Sequence, residues 1–533
     1  MLTTSILRPV SAGLFALLAL GCDAKEPDTM PPEKAPLVVT TDKGAVEGAL
    51  IGSTRAFLGI PFAEPPVDAL RWKPPAPHKP WSQTLKATVK GPACAQLSPL
   101  SNVFDPSTKE DCLTVNVWTP AQPSAAPPPV LVWIHGGAFV LGSGVDDAYD
   151  GQALSEATGA VVVTMNYRLG PFGFLALPEL KSEDSSHPST GGYGLEDQRA
   201  ALQWVKTNIA AFGGDAGRVT LFGESAGGMS TCMHLVSPRS KGLFQRAIIQ
   251  SGPCNLATSE AAATVQGKAF VDAVGCKAAP DVLACVRSKS TAAVMSALPL
   301  GDFLLGGGAS WGLVVDGWNL TDRPDKLFAA GSFEKVPTIV GSNADEGTLF
   351  FSLAGAMVPD DKAFEALVEK FVPGHGKEVV AHYPSAMYGS SLKAAMASVG
   401  DAAMGCPARQ TARSLSKAGV DAYLYFFSYV PKGALFPDLG SFHSAELKYV
   451  FANPSQLVPQ PLSDEEQALS KSIMGYWSRL AKSGDPNGDG APKWTKYDAA
   501  TGENIVFNTT ITSQSTLKKD LCDFWDTLAI QMP

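Results

Sequence analysis

No stretch of the chain is strongly basic. Its 42 Lys and Arg are outnumbered by 51 Asp and Glu, for a formal net charge of −9, and no like-charge run exceeds a few residues. Without a positive stripe interleaved with aromatics, nucleic-acid binding is not expected. Charged residues are only 17% of the chain against 45% hydrophobic ones, so it can bury a large core unaided. The apolar run at residues 11–20 is too short to span a bilayer. No Cys or His spacing suggests zinc, and no phosphate-binding or dinucleotide motif occurs, so neither metal nor cofactor is expected. The loop from Asp485 (DPNGDG) opens like an EF-hand, but its twelfth position is Lys496, where a bidentate Glu is needed. It reads as a polar turn. No internal repeat or domain-scale linker follows residue 36, so residues 37–533 read as one large domain.

What is present begins with an export signal. Residues 1–10 carry a single charge, Arg8, and the apolar run after them ends in Ala19-Leu20-Gly21-Cys22. Residues 1–21 read as a signal peptide. Their end resembles a bacterial lipoprotein signal, in which the Cys becomes lipidated and N-terminal. Ala19 stands where Leu is usual, and plain signal-peptidase cleavage nearby is the alternative. Residues 22–36, polar and Pro-rich, suit a tether. The expectation is an exported protein of the bacterial periplasm, attached to a membrane through Cys22 or secreted. Eight of the nine cysteines then remain, and an even number in an exported chain suggests disulfides. Cys276 and Cys285 are close enough to close a small loop; spacing does not fix the other pairs. Asn319 and Asn508 open N-x-[ST] sequons, but with a bacterial-type signal no glycosylation is expected.

Short apolar runs alternate with amphipathic stretches. Residues 130–134 (VLVWI), 160–165 (AVVVTM), 218–222 (RVTLF), 247–250 (AIIQ), 338–341 (TIVG) and 422–427 (AYLYFF) are β-branched or aromatic and end in Gly or polar residues. Such runs predict parallel strands buried on both faces. Between them, residues 198–212 put Leu202, Val205, Ile209 and Phe212 on one helical face. Residues 464–481 do the same with Leu469, Ile473, Trp477 and Leu480. The alternation predicts an α/β fold, a large mostly parallel sheet covered by helices on both faces.

Gly223-Glu224-Ser225-Ala226-Gly227 fits G-x-S-x-G, directly after RVTLF and before a predicted helix at 228–235. That is the setting of a nucleophile elbow, a tight strand-to-helix turn with glycines where side chains would clash. Independently, His135-Gly136-Gly137-Ala138 follows VLVWI. In such a loop unshielded N–H groups serve as oxyanion donors, here Gly136 and Gly137, beside that of Ala226 after the nucleophile. His135 precedes the nucleophile and reads as structural.

The order Ser, acid, His narrows the base to three histidines. His375 sits in a Pro-Gly turn and His382 in a predicted surface helix. His443 follows AYLYFF through a Pro/Gly-rich loop, just before a helix-like segment at 445–451, where a late base belongs. The acid is Glu346 or its neighbour Asp345, both directly after TIVG. The residues alone leave the two open.

With these motifs, the chain resembles the type-B carboxylesterase/lipase family, which includes bacterial para-nitrobenzyl esterases and cholinesterases. The resemblance covers roughly residues 36–530. It is carried by FLGIPFAEPPVDALRWKPP (57–75), EDCLTVNVWTP (110–120), WIHGGAF (133–139), NYRLGPFGFL (166–175), GGYGLEDQRAALQWVKTNIAAFGGD (191–215), VTLFGESAGG (219–228) and FHSAELKYVF (442–451). It implies an α/β-hydrolase catalytic domain over 37–533 with long loop insertions, Glu346 as the acid, His443 as the base, and Glu224 as a buried carboxylate supporting the site. It also implies the pairs Cys94–Cys112, Cys276–Cys285 and Cys406–Cys522. Cys232 and Cys254 are left as candidates for a fourth.

The expected activity is ester hydrolysis through an acyl-enzyme on Ser225, with a small-molecule ester as the only partner the motifs call for. Cholinesterases carry a Trp between the first two Cys that binds cationic choline. Residues 95–111 hold Phe104 but no Trp, so a neutral, apolar ester is expected. The rivals are a catalytically silent binding protein on this scaffold, which would lack part of the triad, and a lipase or polyester hydrolase.

Overall fold

A computed structural model describes residues 35–98, 103–299, 309–354 and 357–528. The signal peptide, Cys22 and most of the tether lie outside the described residues. Eleven strands form the main sheet: β1 Ala49–Ile51, β2 Thr54–Pro61, β3 Thr114–Pro120, β4 Val130–Ile134, β5 Val161–Met165, β6 Val219–Glu224, β7 Arg246–Gln250, β8 Thr338–Asn343, β9 Ala422–Phe427, β10 Asn504–Phe507 and β11 Thr512–Gln514. Their order is β11-β10-β9-β8-β7-β6-β4-β5-β3-β2-β1. From β10 to β5 every pairing is parallel. The flanking β11, β3, β2 and β1 are antiparallel.

The parallel strands form because both of their faces are buried. All five residues of β4 are buried. Val130, Val132 and Ile134 enter one apolar core, while Leu131 and Trp133 enter the core on the opposite face, as two-residue alternation requires. In β6, Val219 and Leu221 divide from Phe222 in the same way. The predicted strands at 218–222 and 338–341 both run on, to Glu224 and Asn343. Their polar last residues belong to the site. The outermost strands β1 and β11 were not foreseen, since their short, half-exposed runs lack the apolar signature; β2 and β3, longer and mostly buried, were also missed, their apolar residues being interrupted by polar ones.

The predicted helix at 198–212 starts earlier, as α1 Tyr193–Asn208, and ends in a tight turn over Ile209–Phe212. Its first turns escape an apolar pattern because they bury polar groups. Asp197, for example, receives both Arg168 Nε and Nη2, at 2.8 and 2.7 Å. Leu202, Val205, Ile209 and Phe212 are all fully buried, as expected. The remaining helices near the site are α2 Ala226–Val236, α3 Glu346–Ala354, α4 Ser391–Gly400, α5 Cys406–Lys417, α6 Leu447–Phe451 and α7 Asp464–Ser483. Ser463 and Glu466 form a reciprocal capping box at the start of α7, and Gly484, at φ 83, ends it.

Four disulfides join Cys94 to Cys112, Cys232 to Cys254, Cys276 to Cys285 and Cys406 to Cys522. They suggest an extracellular or periplasmic protein. Among the described residues no helix is long and apolar enough to cross a membrane, and no group of three His, Cys, Asp or Glu is placed to hold a metal ion. Asp485 accepts from Asn487 N at 2.9 Å within its own loop, a polar turn. Asn319 is buried, and its amide donates to Glu196 Oε1 at 2.9 Å.

Candidate active site

β6 ends at Glu224 and α2 begins at Ala226, so Ser225 alone makes the turn. Its backbone, at φ 56 and ψ −124, lies where side-chain-bearing residues are strained. Two hydrogen bonds hold it there. Ser225 N donates to Gln250 O on β7 at 3.0 Å, and Met229 N donates to Ser225 O at 2.8 Å. The glycines around it answer to crowding: a Cβ on Gly223 would lie 2.4 Å from Gly227 O, and one on Gly227 would lie 2.0 Å from Ile134 O. Ser225 therefore stands at the N-terminus of α2, where free N–H groups and the positive end of the helix dipole gather.

The loop after β4 lies directly against it. A Cβ on Gly136 would come within 3.1 Å of Ser225 Cβ and 2.8 Å of Glu224 Oε2. Three consecutive residues take left-handed backbone: Gly137 at φ 108, Ala138 at φ 52 and Phe139 at φ 62. The sequence marks only the glycine. Gln96, inside the Cys94–Cys112 loop, pins the far end of the turn by donating Nε2 to Gly142 O at 3.0 Å and accepting Gly142 N at 2.9 Å. His135 is structural, as expected. Burial pushes its imidazole down to about 4, so the ring is neutral. Its Nδ1 donates to Gly136 O at 2.8 Å and the ring stacks on Tyr167, 4.3 Å between centroids.

Glu346 opens α3, just beyond β8, and His443 follows β9 through a loop. His443 Nδ1 donates to Glu346 Oε2 at 2.6 Å. The other carboxylate oxygen, Oε1, accepts Ser251 Oγ at 2.6 Å and Asn343 N at 2.7 Å. With Nδ1 carrying the proton, Nε2 of the neutral ring is an acceptor. Nε2 has no hydrogen-bond partner, and it lies 3.1 Å from Oε1 of Glu224, the residue preceding Ser225. Asp345 does other work. Its Oδ2 accepts Ser441 N at 2.8 Å, fixing the loop that delivers His443. The Phe350 ring, one turn along α3, packs on the imidazole at 4.9 Å. His375 pairs with Glu378 at the surface, and His382 stacks on Phe524; neither joins this cluster.

The site is buried and rich in carboxylates. Burial opposes the charge on His443, but Glu224 and then Glu346 outweigh it, and its pKa is pushed up to about 9. Burial, against the pull of His443, pushes Glu224 up to about 8. The two groups therefore hold protons to higher pH than they would in water. Glu446 is likewise raised by burial. It accepts Gln250 Nε2 at 3.0 Å and Asn343 Nδ2 at 2.6 Å. Sequence reasoning missed Ser251, Glu446 and Ser444, whose hydroxyl donates to Glu224 at 2.9 Å. Only Ser251 had a usable signal, its place directly after the buried strand AIIQ. Cys232 on α2 and Cys254 beyond β7 join the helix that follows Ser225 to the segment bearing Ser251.

Ser225, Ser251, Glu346, His443 and the turn at 136–139 each follow the C-terminal end of a parallel strand, where open α/β sheets place their sites. The chain matches the Carboxylesterase family over residues 35–525. It is 36% identical to the para-nitrobenzyl esterase of Bacillus subtilis (strain 168) over 489 residues, covering 90% of this chain and 96% of that one. Two solved PNB esterase structures superpose with TM-scores of 0.80 and 0.79 at 34% identity. They cover 92% of this chain and 99% and 100% of theirs, and they share its α/β-hydrolase fold. A family match over nearly the whole sequence, joined to a relative of this similarity, establishes that the chain belongs to the carboxylesterase family and is a carboxylic ester hydrolase.

Proposed function

We propose that Ser225, His443 and Glu346 carry the hydrolysis. His443 takes the Ser225 proton as the hydroxyl attacks the ester carbonyl, and Glu346 holds the imidazole in the right tautomer and steadies its charge. The N–H groups of Gly136, Gly137 and Ala226 receive the oxyanion. Ala138, in left-handed backbone in the same turn, joins them as a candidate. The imidazolium then protonates the leaving alcohol, and water repeats the sequence on the acyl-enzyme. Glu224 supports the charged imidazole from the nucleophile's side. The observation that carries this reading is the 2.6 Å contact of His443 Nδ1 with a Glu346 already fixed by two other donors, with Nε2 left free.

The substrate we assign is a neutral, apolar ester. Residues 95–111 offer no Trp for a cationic alcohol, and the imidazole is walled by Phe350. Cys22 is the proposed lipid anchor of an exported protein, with residues 22–36 as its tether. A catalytically silent protein has no need of the His443–Glu346 contact together with a serine at the strand-to-helix turn.

Ser225→Ala is expected to abolish ester turnover, while para-nitrophenyl esters of increasing chain length, assayed beside choline esters, triglycerides and peptides, place the preference. Substantial turnover by Ser225→Ala overturns the relay, and a preference for choline esters overturns the substrate class. Palmitate labelling that vanishes in Cys22→Ala tests the anchor; unlabelled wild-type protein removes it.

A further inference from the structure

The Glu224 oxygen nearest the imidazole is engaged by a neighbouring hydroxyl. Oε1, 3.1 Å from His443 Nε2, accepts Ser444 Oγ at 2.9 Å. Ser444 follows His443 directly and stands at φ 74. Glycine is at ease in that left-handed backbone, and serine is strained there. The serine therefore occupies a position where its backbone is disfavoured and its hydroxyl has a use.

Despite the short separation, Nε2 and Oε1 are not hydrogen-bonded, and Nε2 remains without a partner. We propose that Ser444 is a positioning residue: its hydroxyl turns Glu224 so that Oε1 supports the charged imidazole without becoming the partner of Nε2, which stays open to Ser225. This rests on the assignment of Ser225 and His443 made above. Without that hydroxyl, Oε1 is free to rotate onto Nε2–H, and a charge-assisted bond there holds the proton on His443 and diverts it from the nucleophile. The lost bond also leaves the Glu224 carboxylate less stabilised, which works the other way by weakening its pull on His443; the direct bond to Nε2–H, made across a 3.1 Å separation, is the larger of the two. The other titratable groups facing the pair are Glu346 on α3, Glu446 before α6, and the buried Tyr149 and Tyr425.

The test is the pH profile of kcat/KM for Ser444→Gly, Ser444→Ala and Ser444→Asn, with Ser225→Ala alongside. Ser444→Gly relaxes the backbone, so its Tm should be no lower than that of the wild type. KM should be unchanged, while the acid limb of kcat/KM moves up by about one pH unit, an approximately tenfold loss below it. Ser444→Ala should show the same limb. Asn tolerates left-handed backbone and carries a donor, so Ser444→Asn should move back toward the wild type. Gly and Ala variants with the wild-type limb and kcat overturn the role of Ser444. If Ser225→Ala is inactive in that same experiment, the site reading stands and only the Ser444 inference falls. Turnover by Ser225→Ala would instead strike the site reading itself.

Discussion

Ser251 Oγ and His443 Nδ1 each lie 2.6 Å from Glu346, on opposite carboxylate oxygens. Glu346 is thus oriented from behind by a hydroxyl at the end of the neighbouring strand. Removing one donor to a buried carboxylate costs roughly 1.5–3 kcal/mol of its hold. Ser251→Ala is expected to lower kcat about tenfold with little change in KM. Steady-state kinetics on a para-nitrophenyl ester decide it; an unchanged kcat would mean Asn343 N alone fixes the acid.

Glu346 and Asp345 are adjacent but do different work, and paired substitutions should separate them. Glu346→Gln removes the charge that holds the His443 tautomer and is expected to lower kcat by about four orders of magnitude. Asp345→Asn keeps an oxygen for Ser441 N, so its kcat should stay near the wild type. The opposite ranking would reassign the acid.

His443 is raised, so the folded protein binds its proton more tightly than the unfolded chain does. That stabilising contribution is complete below the ordinary 6.5 and is lost as pH rises through about 9. Attack on the ester needs the neutral ring, so kcat/KM should climb with an acid limb above 6.5. In Glu224→Gln the main partner raising His443 is gone, and the limb should move to lower pH. A limb that stays put or rises in this variant contradicts the electrostatic role of Glu224.

The Cys232–Cys254 bond spans a separation of 22 residues. Closing a loop of that size restricts the unfolded chain enough to stabilise the fold by about 3 kcal/mol. Cys232→Ala/Cys254→Ala should lower the unfolding free energy by that amount, read from the denaturant midpoint. A midpoint equal to the wild type would show that packing around α2 suffices without the bond.

Six of the seven parallel strands of the main sheet, all but Asn504–Phe507, were legible because they are buried on both faces and written in continuous apolar residues. The antiparallel edges were not, because Ala49–Ile51 and Thr512–Gln514 are short and exposed. The residues of the proposed relay were picked out by chain order and strand ends: Ser225 after RVTLF, Glu346 after TIVG, His443 after AYLYFF. The residues left open in the sequence are those whose roles depend on distant contacts. Asp345 and Glu346 are interchangeable until the loop at Ser441 takes one and His443 the other. Ser444 gains its role only by meeting Glu224, 220 positions earlier in the chain. Ala138 and Phe139 adopt left-handed backbone with no glycine to announce it.

The nucleophile itself is tested most directly by covalent capture. Active protein treated with a fluorophosphonate and digested for mass spectrometry is expected to carry one adduct, on Ser225, in step with loss of ester turnover. Complete inactivation with residue 225 unmodified would contradict the account.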